Sequence, residues 1–459
     1  MTLSNILLVV SDQHRYDCVG YADKYPVRTP NLDRLAGEGV FFRHAFTPFP
    51  VCAPARQAML TGRLPDSHGA LFNYDFIPVP SLKPDPGYWP EKLAQSGYAT
   101  AFVGRWHASQ GYGAGDFGYK NVYDLSCYNE YVKTKYPGAG GTKGWLGETS
   151  PIPYEDSQPH FLAGKVCACL KEFVEMGRPW HIRLDMTVPH LPCRPSAPFS
   201  EMYSPADAVP WDGFGDTLEN KPYIQRQQRL NWGLENKTWS DWAEVAARYY
   251  AVITQMDDAI GGILNCLEEL GAAGNTVVIY TSDHGDMCGS HGMLDKHYVM
   301  YDDVLRVPLI VRWPGRTKNS CIAEFVSNCL DLPATMADIA GLDMDRGHGA
   351  SLVPLITGQE QKRPGYCIAS SNGQQFGLYT QRSIRTEKWK YVWNLTDMDE
   401  LYDLEKDCGE KTNLMGRQEH DEDVAGLRRL LHSELLRLED PFVKSGWLDR
   451  QLILQRKLH

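Results

Sequence analysis

Cys52 lies in a segment whose residue types are suited to meeting an oxyanion, Val51-Cys52-Ala-Pro54-Ala-Arg56. Proline is favoured in the first turn of a helix, and the residues that follow continue a helical pattern. Cys52 is therefore predicted at or just before a helix N-terminus, where free N–H groups and the helix dipole favour an anion. Arg56, one turn later, can direct its guanidinium to the same point. Taken alone, Cys52 is better explained as one more buried thiol.

Two pairs of polar residues lie at the ends of predicted strands. Asp12-Gln13 ends the apolar run that begins at Asn5, and Asp283-His284 ends a second run far along the chain. Open α/β sheets bind ligands at the carboxyl ends of parallel strands, so the two pairs are expected to converge on one ion. Their oxygens suit a hard cation such as Ca²⁺, and the imidazole leaves Mn²⁺ or another transition metal open. Asp12 alone would be better explained as a strand-end cap or turn residue.

The cysteine segment, continued by Leu60-Thr61-Gly62, resembles the signature of the formylglycine-dependent (type I) sulfatases of the alkaline phosphatase superfamily. The resemblance extends from Asn5 to about Leu414 and includes both polar pairs. It implies that Cys52 is oxidised to formylglycine by a maturation enzyme and that one divalent metal, Ca²⁺ by family precedent, is bound. The metal ligands that it implies are Asp12, Gln13, Cys52, Asp283 and His284.

Two residues of the cysteine and metal-binding segments depart from the family pattern. Ala55 stands where the family usually has serine, which leaves the cysteine, proline and arginine of the motif intact. Gln13 stands where the family often has a second aspartate. The Asp-Gln form is shared by some sulfatases and by related phosphonate and phosphodiester hydrolases, so this position widens the range of chemistry.

Further basic residues resemble active-site positions of the family. Gly104-Arg105-Trp106-His107 resembles Gly-Lys-Trp-His with arginine in place of lysine, and Pro189-His190-Leu-Pro192 resembles Pro-His-x-Pro. Lys296 falls where the family has a sulfate-binding lysine. Taken singly, each would more often be a surface charge or a structural histidine. Two histidines of the same region stay open between a site role and a structural role, His291 and His297.

The resemblance implies hydrolysis of a sulfate monoester. The metal, Arg56, Arg105 and Lys296 would hold the charge of the sulfate, while hydrated formylglycine attacks sulfur. His190, with Lys296, would protonate the departing ester oxygen. His107 would act as the base that releases sulfate and regenerates the aldehyde.

The elements that position these residues follow from hydrophobic patterning. Short β-branched runs alternate with helical patterns, which predicts an α/β fold with a large, mainly parallel sheet between helices. The Gly- and Tyr-rich stretch Gly111–Gly147 has few helix signals and is interpreted as an ordered excursion or a long loop that shapes a pocket. Helices are predicted over Gln158–Met176 and over Ser240–Leu270, the latter stopped by Gly271. The predicted strands are Asn5–Ser11, Thr100–Val103, Trp180–Met186, Asn275–Thr281 and Val307–Val311.

Beyond about Pro354 the pattern changes to alternating polar and apolar residues. Ser383–Trp393 and Glu400–Leu404 are interpreted as strands of a smaller antiparallel sheet, and leucines from Leu427 to Leu438 predict a final helix. We therefore predict a catalytic domain over residues 1–353 and a C-terminal subdomain over residues 354–459.

Composition limits the class of partner. The 459 residues include 46 Lys and Arg against 57 Asp and Glu, a formal net charge of −11 that repels nucleic acid. An anionic ligand must then be bound by a local positive cluster. No apolar run approaches the roughly 20 residues that span a bilayer, and no secretory signal is recognised, so a cytoplasmic protein without a membrane partner is expected. The 12 cysteines contain no CxxC pair, which indicates mostly reduced, buried thiols.

The substrate is expected to be a mono- or oligosaccharide sulfate, cleaved from its end, with aryl sulfates and choline-type esters as alternatives. Pocket walls are expected from Gly111–Gly147 and from Gln374–Arg382. A phosphonate monoester or phosphodiester hydrolase is the alternative enzyme, and a non-catalytic protein that binds sulfated ligands is the alternative outside enzymes. The Gly-Arg-Trp-His and Pro-His-x-Pro segments favour a sulfatase, and two metal half-sites favour catalysis. The oligomeric state is not indicated.

Overall fold

The fold is given by a computed structural model that describes residues 3–69, 71–75, 78–139, 144–317, 319–374, 377–455 and 457. Within these ranges, eight strands form one sheet in the order β4-β3-β5-β1-β6-β7-β2-β8. Their bounds are β1 Asn5–Asp12, β2 Val40–Phe46, β3 Ala99–Gly104, β4 Asn121–Asp124, β5 Trp180–Pro189, β6 Thr276–Ser282, β7 Leu309–Arg312 and β8 Ser320–Ser327.

The sheet is mainly parallel. Among the described strands of this sheet, only β7 runs antiparallel to its neighbours, which are β6 and β2. Every residue of β1 is buried, which explains its continuous apolar sequence, since a central parallel strand has both faces covered.

Helices cover both faces of the sheet. Their bounds are α1 Pro30–Gly37, α2 Cys52–Thr61, α3 Trp89–Gln95, α4 Leu125–Lys135, α5 Gln158–Glu175, α6 Tyr223–Asn231, α7 Trp239–Glu269, α8 Asp302–Leu305, α9 Asp331–Ala340, α10 Val353–Ile356, α11 Asp421–Arg437 and α12 Gly446–Leu454. Alternate residues of β1 pack on opposite faces, as the pleat requires. Leu7 and Val9 join the core with α1, α5 and α7, whereas Ile6 and Leu8 join the core with α2, α3 and α9.

A second sheet lies in the C-terminal part of the chain. Its described strands are antiparallel in the order β12-β11-β10-β9, and leucines of α11 pack on its aromatic residues. The bounds are β9 Tyr366–Gln374, β10 Gly377–Thr386, β11 Trp389–Asn394 and β12 Glu400–Asp403. The fold class predicted from the sequence, a large mainly parallel sheet between helices with a smaller antiparallel sheet and helix, is confirmed.

Two local predictions were wrong. The single strand predicted over Ser383–Trp393 is the end of β10, a turn at residues 387–388 and β11. The loop predicted over Gly111–Gly147 contains β4 and α4, although residues 140–143 lie outside the described ranges. Helix α4 gave little apolar periodicity because Tyr128 and Val132 are the residues that it buries. The start of α4 could have been predicted from its N-cap residue, Asp124, whose side chain accepts a hydrogen bond from Ser126 N at 2.9 Å.

Among the residues that the structure describes, none of the helices combines the length and the apolar character needed to cross a bilayer.

Candidate active site

The predicted site residues come from the carboxyl ends of adjacent strands. Asp12 is the last residue of β1, Asp283 follows β6, Arg105 follows β3 and His190 follows β5. These are neighbouring strands of the sheet, so residues far apart in sequence meet at one edge. Cys52, the first residue of α2, lies at the same edge.

Cys52 begins α2 as predicted and is completely buried. Its Sγ lies 3.2 Å from His284 Nε2 and 3.5 Å from Asp12 Oδ1. The first turn of α2 is further held by Asn73, whose Oδ1 accepts a hydrogen bond from Ala53 N at 2.9 Å. Burial would raise the pKa of the Cys52 thiol, but Lys296 and His284, with His107 and His190 beside them, hold that pKa well below its usual range. The helix start therefore lies in a strongly positive environment.

A set of metal-binding donors surrounds this thiol. Asp12, Cys52, Asp283 and His284 each offer one donor atom, and these atoms all lie within 4.8 Å of one another. All four residues are buried. His284 Nδ1 lies 2.8 Å from Gly285 O, so its N–H donates to that carbonyl and Nε2 faces the other donors. Two carboxylates with an imidazole and a sulfur fit a divalent cation.

Gln13 lies beside the donor set. Its main-chain N–H donates to Asp283 Oδ1 at 3.1 Å, and its side-chain Oε1 accepts from Lys296 Nζ at 3.1 Å. Its Nε2 donates to Asp286 Oδ2 at 2.6 Å and to Asp295 Oδ1 at 3.1 Å. The two carboxylates thus orient the amide, and the ligand role of Gln13 stays a prediction.

Arg56 connects the carboxylates of the site. Its Nε donates to Asp283 at 3.0 Å, its Nη2 to Asp12 at 3.1 Å and its Nη1 to Asp185 at 2.6 Å. The guanidinium is completely buried. Burial would lower the pKa of Arg56, but Asp283, Asp185 and Asp12 raise it, so the side chain stays charged. Arg56 therefore offsets the charge of buried carboxylates that would otherwise be unfavourable.

Arg105 is the more accessible arginine, with 24% of its side chain exposed. Its Nη1 donates to Asp12 Oδ2 at 2.6 Å. The preceding Gly104 has φ +109°, and a Cβ there would lie 2.0 Å from Asp185 O. Only glycine fits this approach of β3 to β5, which explains the glycine of the Gly-Arg-Trp-His segment.

Lys296 and His190 form a hydrogen-bonded pair. Lys296 Nζ lies 2.8 Å from His190 Nε2, and His190 Nδ1 lies 2.6 Å from Leu191 O. Because a lysine ammonium can only donate, His190 accepts at Nε2 and donates its Nδ1–H to the carbonyl. Lys296 is also 3.1 Å from Asp295 Oδ1.

His107 is held by an acidic residue that the sequence did not indicate. Its Nε2 lies 2.7 Å from Asp75 Oδ2, and Tyr74 packs edge-on against the ring at 5.0 Å. The hydrogen bond from His107 lowers the pKa of Asp75, which keeps the carboxylate ionised. His107 Nδ1 is buried and has no hydrogen-bond partner within the described part of the chain.

His291 and His297, whose roles the sequence left undecided, contact different acidic residues. His291 Nδ1 lies 2.7 Å from Asp216, and its ring stacks on Tyr301 at 3.8 Å. These contacts favour the structural interpretation of His291. His297 Nε2 lies 2.9 Å from Asp295 Oδ2, and neither histidine belongs to the donor set.

Sequence reasoning missed several polar residues of the site. Asp185 could have been found, because it lies within a predicted strand beside apolar residues, and Asp286 follows Asp283-His284-Gly285 directly. Loop residues carried no such signal. The missed residues are Asn73, Asp75, Asp185, Asp286 and Asp295.

Comparison with protein families gives two matches. A family profile described as Sulfatase matches residues 4–342, and one described as N-sulphoglucosamine sulphohydrolase, C-terminal, matches residues 289–439.

Individual proteins are similar over nearly the whole chain. An arylsulfatase of Clostridium perfringens is 28% identical, with 97% of this chain and 97% of that protein covered. An N-acetylglucosamine-6-O-sulfatase of Bacteroides thetaiotaomicron is 24% identical, with 95% and 87% covered. The crystal structure of a phosphonate monoester hydrolase of Agrobacterium radiobacter superposes with a TM-score of 0.80 at 25% identity, covering 95% of each chain.

Proposed function

The chain belongs to the sulfatase family and is a sulfuric ester hydrolase, and on that premise we propose that it removes sulfate from the end of a sulfated mono- or oligosaccharide. The observation that carries the proposal is the convergence of Asp12, Asp283 and His284 with basic groups on the buried Cys52. This arrangement is suited to a tetrahedral anion and its nucleophile. The name of the N-acetylglucosamine-6-O-sulfatase relative supports a carbohydrate substrate.

Two groups complete the proposed site. A divalent cation would be held by Asp12, Gln13, Cys52, Asp283 and His284 and would supply Lewis-acid stabilisation of sulfate charge. The carboxylate and amide oxygens favour Ca²⁺, and the imidazole leaves Mn²⁺ or another transition metal open. Oxidation of Cys52 to formylglycine by a maturation enzyme would supply the oxygen nucleophile.

The basic side chains bind the sulfate in this proposal. Arg105 and Lys296 contact the sulfate oxygens, because Arg105 is partly exposed and Lys296 Nζ faces the same centre. Arg56 holds Asp12 and Asp283 in place through the hydrogen bonds described above and adds positive charge. Together these three positive side chains stabilise the negative charge that develops on the departing oxygen.

Proton transfers are assigned to the histidines. The Lys296–His190 pair, joined at 2.8 Å, delivers a proton to the leaving ester oxygen. His107 accepts a proton at Nδ1, because Asp75 fixes Nε2 as the protonated nitrogen and Nδ1 has no other described partner.

A phosphonate monoester hydrolase is the second candidate. It is favoured by Gln13 and by the structural likeness to the Agrobacterium radiobacter enzyme. The Gly-Arg-Trp-His and Pro-His-x-Pro segments favour the sulfatase, because both retain the pattern of that family, with Arg105 in place of its lysine.

The test combines peptide mass spectrometry with sulfate release. The protein is produced with and without a formylglycine-generating enzyme, and rates are measured with 4-nitrophenyl sulfate, N-acetylglucosamine 6-sulfate and a matched phosphonate ester. We expect activity only where residue 52 carries formylglycine, loss on chelation with recovery on Ca²⁺ addition, and faster turnover of the sulfates. The variant Cys52→Ala is the control. Full activity with unmodified Cys52, or preference for the phosphonate, contradicts the proposal.

A further inference from the structure

A large cavity opens directly beside the proposed sulfate-binding groups. It has a volume of about 690 Å³ and reaches from Arg105 and His190 along α4 and the segment after β5. Sites for small ligands typically have about 300 to 1,000 Å³. The cavity is therefore large enough for the alcohol portion of a sugar sulfate in addition to the sulfate itself.

The charged residues that line this cavity are all positive. Arg105, Lys133 and Arg194 contribute to the wall, whereas no aspartate or glutamate does so among the residues that the structure describes. The whole chain has a net charge of −11. A wall with only positive charges in an acidic protein creates a local field that favours anions.

The two outer cations are available to a ligand. Arg194 is oriented by Glu148, at 3.2 Å from its Nε, and by Ala139 O, at 3.4 Å from its Nη2. A guanidinium has five N–H donors, which is more than these contacts use. Lys133 is exposed on α4 and forms no ion pair with any carboxylate of the described ranges.

Asp156 is an acidic side chain near the cavity wall whose charge is already offset. Asp156 lies beside Tyr136, a residue of the cavity wall, but does not itself line the cavity. It accepts hydrogen bonds from Tyr131 and Tyr136 and forms an ion pair with Lys135 at 2.7 Å. The charge of Asp156 is thus offset locally by Lys135. Glu148 offsets part of the charge of Arg194, while Lys133 keeps its full charge.

We infer, on the basis of the proposed function, that the alcohol portion of the substrate carries a second anionic group, a carboxylate or a further sulfate, bound by Lys133 and Arg194. Tyr128 and Tyr136 in the same wall supply flat surfaces for a sugar ring. A choline-type ester is disfavoured, because its quaternary ammonium would face arginine and lysine.

Binding measurements test this inference independently of turnover. Calorimetric titrations use the full-length protein with unmodified Cys52 and saturating Ca²⁺. The ligands are two matched pairs: glucosamine 6-sulfate carrying N-acetyl or N-sulfo, and glucose 2-sulfate against glucuronate 2-sulfate. Choline sulfate is the cationic probe. We expect the acidic member of at least one pair to bind about tenfold more tightly than its neutral partner, as a charged hydrogen bond allows.

Variants connect the preference to the cavity. Arg194→Gln and Lys133→Gln should each reduce the preference for the acidic ligand while leaving the affinity for the neutral ligand within about twofold. Lys120→Gln removes an exposed lysine that lines no described part of the cavity and should change neither affinity. Lys133 is exposed, so its variant is expected to fold even if Arg194→Gln does not.

Four results overturn the inference. They are equal affinity within both pairs, tighter binding of choline sulfate, an acidic preference that survives both cavity variants, and failure to bind any of the sugar sulfates. If the acidic preference is found but no sulfate ester is hydrolysed by the matured protein, the proposed function fails while the anion-binding cavity stands.

Discussion

At the scale of single residues, Asp75 is the side chain on which the role of His107 depends. It accepts from His107 Nε2 at 2.7 Å, which leaves Nδ1 as the acceptor beside Cys52. We expect Asp75→Asn to lower kcat with little change in KM. The asparagine amide can turn its NH₂ group toward His107, so it no longer fixes the proton on Nε2 or the orientation of the imidazole ring. The loss should be smaller than the roughly 10²- to 10⁴-fold loss for His107→Ala, which removes the base itself.

Steady-state rates with 4-nitrophenyl sulfate measure both variants. Asp75→Glu should recover part of the rate, whereas Asp85→Asn, in an exposed turn of the same region, should retain the full rate. Wild-type kcat in Asp75→Asn would show that the hydrogen bond does not position His107.

Gln13 provides a second residue-scale prediction. Its Nε2 donates to both Asp286 and Asp295, and burial, together with Asp295, raises the pKa of Asp286 to about 6. A glutamate at position 13 would replace the donor by an acceptor and add a third negative charge. We expect Gln13→Glu to lower the free energy of unfolding of the metal-free protein by about 1 to 3 kcal/mol.

Urea unfolding of the metal-free protein gives this number, and a second substitution checks its cause. Gln13→Glu combined with Asp286→Asn should be more stable than Gln13→Glu alone, because the asparagine restores a donor. An additive loss in the double variant would rule out the proposed repulsion.

Site residues that belong to a motif could be predicted from the sequence, whereas those that only contact them from loops could not. Cys52, Asp12 and Asp283 were identifiable through the family motifs to which they belong, and a helix start or a strand end then indicated the edge of the sheet at which they lie. Asp75 and Asp295 were not, since their loops have no period that predicts which loops meet. The tautomer of His190 likewise depends on Lys296, more than 100 residues away.

At the scale of elements, buried strands were predictable and amphipathic ones were less so. The apolar runs of β1 and β6 are explained by burial on both faces. The turn between β10 and β11 was missed because Glu387 and Lys388 carry no Gly or Pro signal. Helix α12 was missed as well, since Leu452 is the residue that it buries fully.

Lys390 of β11 connects the smaller sheet to the rest of the protein. It is completely buried and forms ion pairs with Asp302 of α8 at 2.6 Å and with Glu410 at 2.7 Å. We propose that residues 1–353 and 354–459 form a catalytic domain and a C-terminal subdomain, and this contact crosses between them. We expect Lys390→Met to lower the free energy of unfolding by about 3 to 5 kcal/mol, because the buried Glu410 loses its cation and Asp302 is left with Arg385.

Lys406→Met is the matched surface control. Lys406 is 78% exposed in its ion pair with Asp403, and such exposed pairs contribute about 0 to 1 kcal/mol. Guanidinium unfolding measures the free energy of unfolding of both variants. Equally small decreases in the two would mean that the ion pairs of Lys390 contribute no net stability.

At the scale of the whole molecule, neutral buried histidines link stability to pH. His181 of β5 is completely buried, with Nδ1 3.2 Å from Ile6 O and Nε2 3.5 Å from Tyr119 OH. Burial lowers the pKa of His181 to about 3. Between that value and the ordinary pKa of about 6.5, the unfolded chain binds a proton that the folded chain does not. This contribution to stability is therefore complete above about pH 6.5 and falls by about 1.4 kcal/mol per pH unit as the pH drops below it.

The matching measurement is unfolding at several pH values between 7 and 4. His181→Gln should be less stable than the wild-type protein at pH 7 but should lose stability less steeply on acidification. His432→Gln, at a partly exposed position of α11, should keep the wild-type slope. Parallel slopes for wild type and His181→Gln would contradict the linkage.

The position of β1 also has a consequence for biosynthesis. It leaves the ribosome well before its partners β5 and β6, which begin at Trp180 and Thr276. The contact between Gln13 and Asp283 spans 270 residues, so at about 5 to 20 residues per second it becomes available only after roughly 14 to 54 s of elongation. Throughout that interval the nascent apolar strand requires protection from aggregation. The thiol at position 52, completely enclosed in the finished molecule, remains within reach of a modifying enzyme.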